Sequence, residues 1–233
     1  MRQRETEMTT DCATVRESRI TIPHYTLGEE IANAITHGIG ACLSTAALVL
    51  LIVRAARHAP TGATAGYVVG YTIFGVAAIL LYLFSTLYHS LPRSCAKRVF
   101  ASLDHSGIFL LIAGTYTAYT LGPLRGGLGW WIFGTIWALA IVGIIAYSVY
   151  GSLARRFTFF LYLAMGWYGA FVAERFHETT SPISWRFLLL GGALYTIGCL
   201  FFVMKKVRWM HSIWHLFVLS GTIMHFFSLY WAI

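Results

Sequence analysis

The sequence predicts an all-α, polytopic membrane protein with seven transmembrane helices, and three observations lead to this prediction. Of the 233 residues, 58% are hydrophobic and only 11% are charged. The mean hydropathy is +0.67, and this composition excludes an ordinary soluble domain. The basic residues stand in ones to threes between apolar blocks. That pattern is typical of topology signals, so the formal charge of +8 does not predict nucleic-acid binding.

Seven apolar segments are long enough to cross a bilayer, whose core requires about 20 residues per helix. A Gly-rich break near 122–129 separates the third and fourth segments most clearly. Residues 1–27 precede them as a polar tail that we expect to be mobile and cytoplasmic, and residues 28–233 form the transmembrane domain. The predicted spans are 33–53, 66–89, 104–122, 129–150, 157–174, 186–204 and 209–231.

The basic residues also predict an orientation. The loops before span 1 and after spans 2, 4 and 6 carry twice as many Lys and Arg residues as the other loops, and Lys97 is one of them. Loops rich in Lys and Arg stay in the cytoplasm. We therefore expect a multi-pass protein of the plasma (inner) membrane, with its amino terminus cytoplasmic and its carboxyl terminus outside.

Two histidines, His211 and His215, lie one helical turn apart inside the last apolar block. Ionisable side chains are rare at such depth and usually mark function, and the i, i+4 spacing suits two ligands to one metal ion. His89 ends span 2 in the same cytoplasmic half, although alone it is also explained as an interfacial residue. Three imidazoles favour Zn²⁺ with an open fourth position, and they would also suit copper, nickel or iron.

Asp104, the lone carboxylate of the long apolar region, begins span 3 beside this group. It could offset the charge of the ion through a bound water, or it could cap the helix. Ser85 lies one turn before His89 on the same face, where a helix-packing role is the alternative. His105 points away from Asp104 around the helix, and we expect it to be an interfacial residue.

Four further polar residues are candidates for the site. Glu30, Asn33 and His37 could form one polar stripe on span 1, although Glu and Asn near a helix start are also common capping residues. His225 shares a face with His211 but lies about 20 Å along the helix axis. It therefore cannot share the ion, and we expect it to line a cavity or to hydrogen-bond a neighbouring helix.

At these residues the sequence resembles the hemolysin III-related proteins of the progestin and adipoQ receptor family, which includes the adiponectin receptors. The resemblance covers residues 28–233 and rests on an ordered set of motifs: EIANAITHG from Glu30, STLYHS from Ser85, LDHSGI from Leu103, AGTYT from Ala113, HSIWH from His211, and His225-Phe.

The resemblance implies seven transmembrane helices with a cytoplasmic amino terminus. It also implies zinc held by His89, His211 and His215, an aspartate at Asp104 that reaches the ion through a water, and a serine at Ser85. A link to alkaline ceramidases implies a hydrolase of lipid amides. The hemolysin name implies membrane lysis.

The leading hypothesis is a zinc-dependent intramembrane hydrolase that cleaves an amide or ester bond in a lipid. Asp104 would accept a proton from water, and Ser85 would donate a hydrogen bond to the developing oxyanion. The expected partner is a membrane lipid or fatty acyl ligand, and the oligomeric state is left open. Three alternatives remain: a sensor or receptor with a structural zinc site acting in membrane homeostasis, a pore-forming cytolysin, and a proton-coupled protein.

Overall fold

The computed structural model describes residues 20–204 and 207–233 of this chain. All of the regular secondary structure in those residues is helical. The all-α prediction is therefore confirmed for those residues. Two 3₁₀ segments, Gly151–Ala154 and Tyr168–Val172, connect α4 to α5 and α5 to α6. The helices are α1 (Leu27–His58), α2 (Thr64–Ser90), α3 (Cys95–Leu121), α4 (Gly127–Tyr150), α5 (Arg155–Trp167), α6 (Ala173–Thr179), α7 (Pro182–Val203) and α8 (Met210–Tyr230).

Six helices in the described residues are long and apolar enough to cross a membrane, if the helical stretch Gly127–Thr179 is counted once. A straight helix of its 53 residues would be about 80 Å long, against a bilayer core of about 30 Å. The stretch instead turns at Gly151, which has a φ of 56°, and α4 and α5 contact each other. The count of seven spans and the orientation both stay predictions.

The start of α3 differs from the predicted span. The helix begins at Cys95, because Ser94 caps it by accepting a hydrogen bond from the backbone N–H of Lys97 at 3.2 Å. Asp104 therefore lies more than two turns inside α3. The alternative in which Asp104 caps this helix is wrong.

The surface of α1 is divided into two faces. Ile31, Ile35 and Ile39 are about half exposed at the i, i+4 spacing of one helix face. Asn33 and His37 are buried on the other face. A continuous apolar surface of this kind is expected on a helix that faces lipid.

Close packing of α2 places the polar face of α1 beside the last turn of α2 and the first turns of α8. Helix α2 packs along both α1 and α3, and α1 also contacts α8. A Cβ atom at Gly70 of α2 would lie 2.9 Å from Ala118 Cα of α3, so the two helices approach as closely as their backbones allow. The first turns of α1 thus lie against the ends of α2 and α8 that carry the candidate histidines.

Candidate metal centre

Three histidines from two helices meet at one point of the structure. His89 comes from the last turn of α2, and His211 and His215 come from the first turns of α8. Each offers one ligand nitrogen, and the three nitrogens lie within 4.8 Å of one another. The Nε2 atoms of His211 and His215 are 3.1 Å apart. Two ligands of a tetrahedral zinc ion, with bonds of about 2.0–2.1 Å, are separated by about 3.3 Å, so the spacing fits.

The hydrogen bonds of His89 fit a metal ligand as well. Its Nδ1 lies 2.6 Å from Oε2 of Glu30, whereas its Nε2 is buried and has no hydrogen-bond partner among the described residues. An orphaned buried nitrogen costs free energy unless something binds it. The Nε2 atom of His89 therefore has the burial and the free lone pair that a metal ligand requires.

Glu30 links this histidine to a buried lysine that the sequence analysis missed as a site residue. The Nζ atom of Lys97 donates to Oε1 of Glu30 at 2.8 Å, and also to the carbonyl oxygens of Tyr88 and Leu91 at 2.9 Å. Only 2% of Lys97 is exposed. Its interpretation as a basic loop residue is wrong, because α3 begins before it and turns its side chain inward.

The first turns of α1 also form hydrogen bonds with the start of α8. Asn33 Oδ1 accepts a hydrogen bond from the hydroxyl of Ser212 at 2.6 Å. Glu29 Oε1 accepts one from the backbone N–H of Trp209 at 2.8 Å, just before α8 begins. Glu29 was missed, although the Thr26-x-x-Glu29 spacing of a capping box is readable in the sequence and is present in the structure.

His37 lies directly against the cluster. Its ring is parallel to that of His215, with a centroid separation of 3.6 Å and an interplanar angle of 9°. It also meets Tyr82 edge-on at 5.0 Å, and neither of its ring nitrogens has a hydrogen-bond partner among the described residues. Glu30, Asn33 and His37 thus all lie on the inward face of α1, as the stripe interpretation predicts.

Asp104 and Ser85 lie beside the histidines. Asp104 neighbours both His89 and Ser85, but it falls outside the group of mutually close ligand atoms. The Ser85 hydroxyl is fully buried and lies close to the Asp104 carboxylate. Asp104 and His211 line the same pocket of about 210 Å³. This arrangement suits a carboxylate that acts near a metal ion without binding it directly.

Residues 20–26, which we call the N-terminal strap, lie over this pocket. Tyr25 lines it and stacks on His211 with a centroid separation of 4.9 Å and an angle of 18°. Burial raises the pKa of the Tyr25 hydroxyl above its usual value. The backbone N–H of Thr21 donates a 2.8 Å hydrogen bond to Ser152 Oγ, which connects the strap to the segment between α4 and α5. The rest of the predicted mobile tail, residues 1–19, lies outside the described residues.

A second cavity, of about 270 Å³, lies among α3, α5, α7 and α8. Phe202 of α7 lines both this cavity and the polar pocket, so the two spaces adjoin at that side chain. The walls of the 270 Å³ cavity are mostly apolar and include Leu81, Ile112, Leu163, Leu188, Trp214 and Val218.

The two remaining histidine predictions have different outcomes. His225 lines the apolar cavity and meets Tyr195 at 5.1 Å, in agreement with the cavity alternative. His105 is buried, stacks on Tyr147 at 3.6 Å and lies 2.9 Å from Thr158 Oγ1. Its predicted interfacial position is wrong, because α3 extends further and places it against α4 and α5.

Comparison with known proteins identifies the family of this chain. Residues 25–226 match the family model described as Haemolysin-III related. The chain is 48% identical to Hemolysin-3 of Bacillus cereus, over 85% of this chain and 89% of that protein. It is 44% identical to the Hemolysin-3 homolog of Bacillus subtilis (strain 168), over 87% and 93%.

A more distant relative is the human monocyte to macrophage differentiation factor, which is 29% identical over 68% of each chain. No solved structure matches the chain. The family match and the apolar helices together show a multi-pass integral membrane protein. This chain belongs to the haemolysin-III related family.

Proposed function

We propose that this protein is a zinc-dependent intramembrane hydrolase that cleaves an amide or ester bond in a membrane lipid. One observation supports the proposal most strongly: the pocket that holds Asp104 and His211 adjoins a large apolar cavity at Phe202. Reactive groups and room for an acyl chain are thereby next to each other. A lipid would be bound with its chain in the cavity and its polar bond near Asp104.

His89, His211 and His215 would hold the zinc ion, since three neutral imidazoles leave a position for substrate as in catalytic zinc sites. When bound, zinc supplies a Lewis acid and makes water acidic enough to lose a proton near neutral pH. The orphaned Nε2 of His89 supports a metal at this point.

The side chains around the ion would then carry out the remaining steps. Asp104 accepts a proton from the attacking water. The Ser85 hydroxyl, which is buried beside Asp104, donates a hydrogen bond to the carbonyl oxygen as negative charge develops on it. Arg155 and Arg208 line the pocket, where they would attract an anionic headgroup from the cytoplasmic leaflet.

The test is metal analysis of the purified protein beside the double variant His211→Ala, His215→Ala, with released fatty acid measured on extracted membrane lipids. We expect about one zinc ion per wild-type chain and loss of both zinc and fatty-acid release in the variant. The variant His225→Ala removes another buried histidine of α8 and should keep its metal. Unchanged metal content in the double variant would contradict the site.

A membrane sensor with a structural metal ion is the second candidate. The stacking of Tyr25 on His211 favours it, because the Tyr25 ring takes up space beside a proposed ligand in the pocket that a substrate would enter. The same experiment separates the two functions. Bound zinc without release of fatty acid from any extracted lipid would favour the sensor, and release that depends on the bound zinc would favour the hydrolase.

A further inference from the structure

We infer that Glu30 and Lys97 are positioning residues: together they fix the ring orientation and the tautomer of His89, so that Nε2 points to the metal. The inference rests on the proposed metal centre and adds residues from two further helices to it. Glu30 is in α1, His89 in α2 and Lys97 in α3.

The contacts of His89 Nδ1 determine which nitrogen carries the proton. Two groups approach this atom, the Glu30 carboxylate at 2.6 Å and the amide nitrogen of Asn33 at 3.4 Å. A carboxylate can only accept and an amide nitrogen can only donate, so the two contacts demand opposite tautomers. The contact with Glu30 is shorter and charge-assisted, and it therefore dominates. Nδ1 then carries hydrogen, and Nε2 is left with a free lone pair.

Lys97 makes Glu30 a fixed acceptor. Its ammonium has three protons, and three oxygen acceptors surround it: Glu30 Oε1 and the carbonyl oxygens of Tyr88 and Leu91. A lysine this deeply buried is rare unless it is paired in this way. The two carbonyls belong to the end of α2, immediately around His89. The Lys97 ammonium thus forms hydrogen bonds both with the Glu30 carboxylate and with the backbone on either side of His89.

Hydrogen bonding and ring stacking constrain a histidine ligand in different ways. Rings stack on the other two ligands, Tyr25 on His211 and His37 on His215. Stacking fixes a ring plane but does not select a tautomer, whereas a carboxylate bonded to the second nitrogen does both. His89 has such a carboxylate partner in Glu30. The orientation of His89 therefore depends on Glu30.

The test compares zinc affinity in purified full-length protein for the wild type, Glu30→Gln and Lys97→Met, with chelator competition as the measurement. Loss of a histidine's supporting carboxylate weakens metal binding by about 10–100-fold, and we expect this change in both variants. Arg93→Gln is the matched control, because it removes an exposed basic residue of the same connection and should leave zinc affinity unchanged. Equal affinities in all four proteins would overturn the inference and leave the metal centre intact.

A second measurement does not require metal. Nitrogen NMR of ¹⁵N-histidine-labelled, metal-free protein should show His89 as a single Nδ1–H tautomer in the wild type and in Arg93→Gln, and as a mixture in Glu30→Gln. A merely structural role would lower the thermal midpoint without changing the tautomer. A mixture of tautomers at His89 in the wild type would overturn the inference, whether or not the protein binds zinc. Absence of zinc from the wild type would instead contradict the proposed function.

Chemical rescue tests the charge of Lys97 directly. In Lys97→Ala, added propylammonium replaces the missing methylenes and the three-proton donor, and it should restore zinc affinity toward the wild-type value. Tetramethylammonium carries the charge but no N–H donor, so it should not. Equal rescue by both ions would contradict the hydrogen-bonding role of Lys97. If the alanine variant fails to fold, Glu30→Gln, which preserves side-chain volume, decides.

Discussion

Asp104 lies next to the histidine cluster and also lines the polar pocket. It neighbours His89 and Ser85 and shares the pocket with His211, yet it does not join the three close ligand nitrogens. A carboxylate in that position can accept a proton without being required for metal binding. The two properties can therefore be separated by a substitution that preserves shape.

The variant Asp104→Asn should keep its zinc and lose hydrolysis by about a hundredfold or more, because the amide cannot accept the proton. Zinc content and released fatty acid, measured on the same preparation with native lipids, check both halves of the expectation. Full hydrolysis by a zinc-loaded Asp104→Asn protein would show that another group is the base.

The histidines and Asp104 could be predicted from the sequence because ionisable residues are so sparse in apolar segments that each one is conspicuous. Lys97 and Tyr25 could not. A lysine between two spans is typical of a cytoplasmic loop, and its partner Glu30 is 67 positions away in the chain. Tyr25 belongs to a polar segment with no periodic pattern, so nothing in the sequence indicates its contact with His211.

At the level of helices, the apolar cavity depends on small residues of α7. Gly192 lines it, and a Cβ atom at this position would meet no atom within 4 Å. A larger side chain there would extend into the cavity without displacing the helix. Gly134 of α4 is equally open and is not among the lining residues.

Gly192→Leu should therefore reduce hydrolysis of long-chain lipids about tenfold, which corresponds to about 1.4 kcal/mol of lost binding, while metal content stays unchanged. Gly134→Leu, the matched control, should behave like the wild type. Hydrolysis rates measured for a series of acyl chain lengths would check this. Equal rates for both variants at every length would show that the cavity does not hold the chain.

Hydropathy located the helices but not all of their ends. Each of the seven predicted spans overlaps helical structure, because long apolar blocks are specific to membrane helices. The start of α3 was missed because Ser94 and polar first turns, rather than apolar residues, define it. The 3₁₀ segment at Tyr168–Val172 was missed because it lies within an apolar run, where hydropathy gives no signal of a change in helix type.

For the whole molecule, the number of spans depends on the stretch Gly127–Thr179, which is counted once among the six apolar helices. Tyr147 of α4 and Tyr162 of α5 both pack on His105, so the two helices lie side by side after the turn at Gly151. Two crossings give seven spans in total. An odd number of spans places the two chain ends on opposite sides of the membrane.

Reporter fusions test this topology. Alkaline phosphatase joined after Ile233 should be active, because we expect this end outside the cell, whereas green fluorescent protein at the same position should be dark. Fusions at Pro92, in the predicted cytoplasmic loop between α2 and α3, should give the reverse pattern. Fluorescent fusions both at Pro92 and after Ile233 would indicate an even number of spans.

The strap of residues 20–26 has a practical consequence for anyone who shortens this chain. A version trimmed to begin at Gly28, where hydropathy places the membrane domain, would keep every histidine of the cluster. It would lose the Tyr25 ring that covers His211, and with Thr26 it would lose the cap that starts α1. Such a truncated protein would leave the proposed metal site more accessible to chelators and to competing ions, so purification tags belong upstream of an intact Ile20.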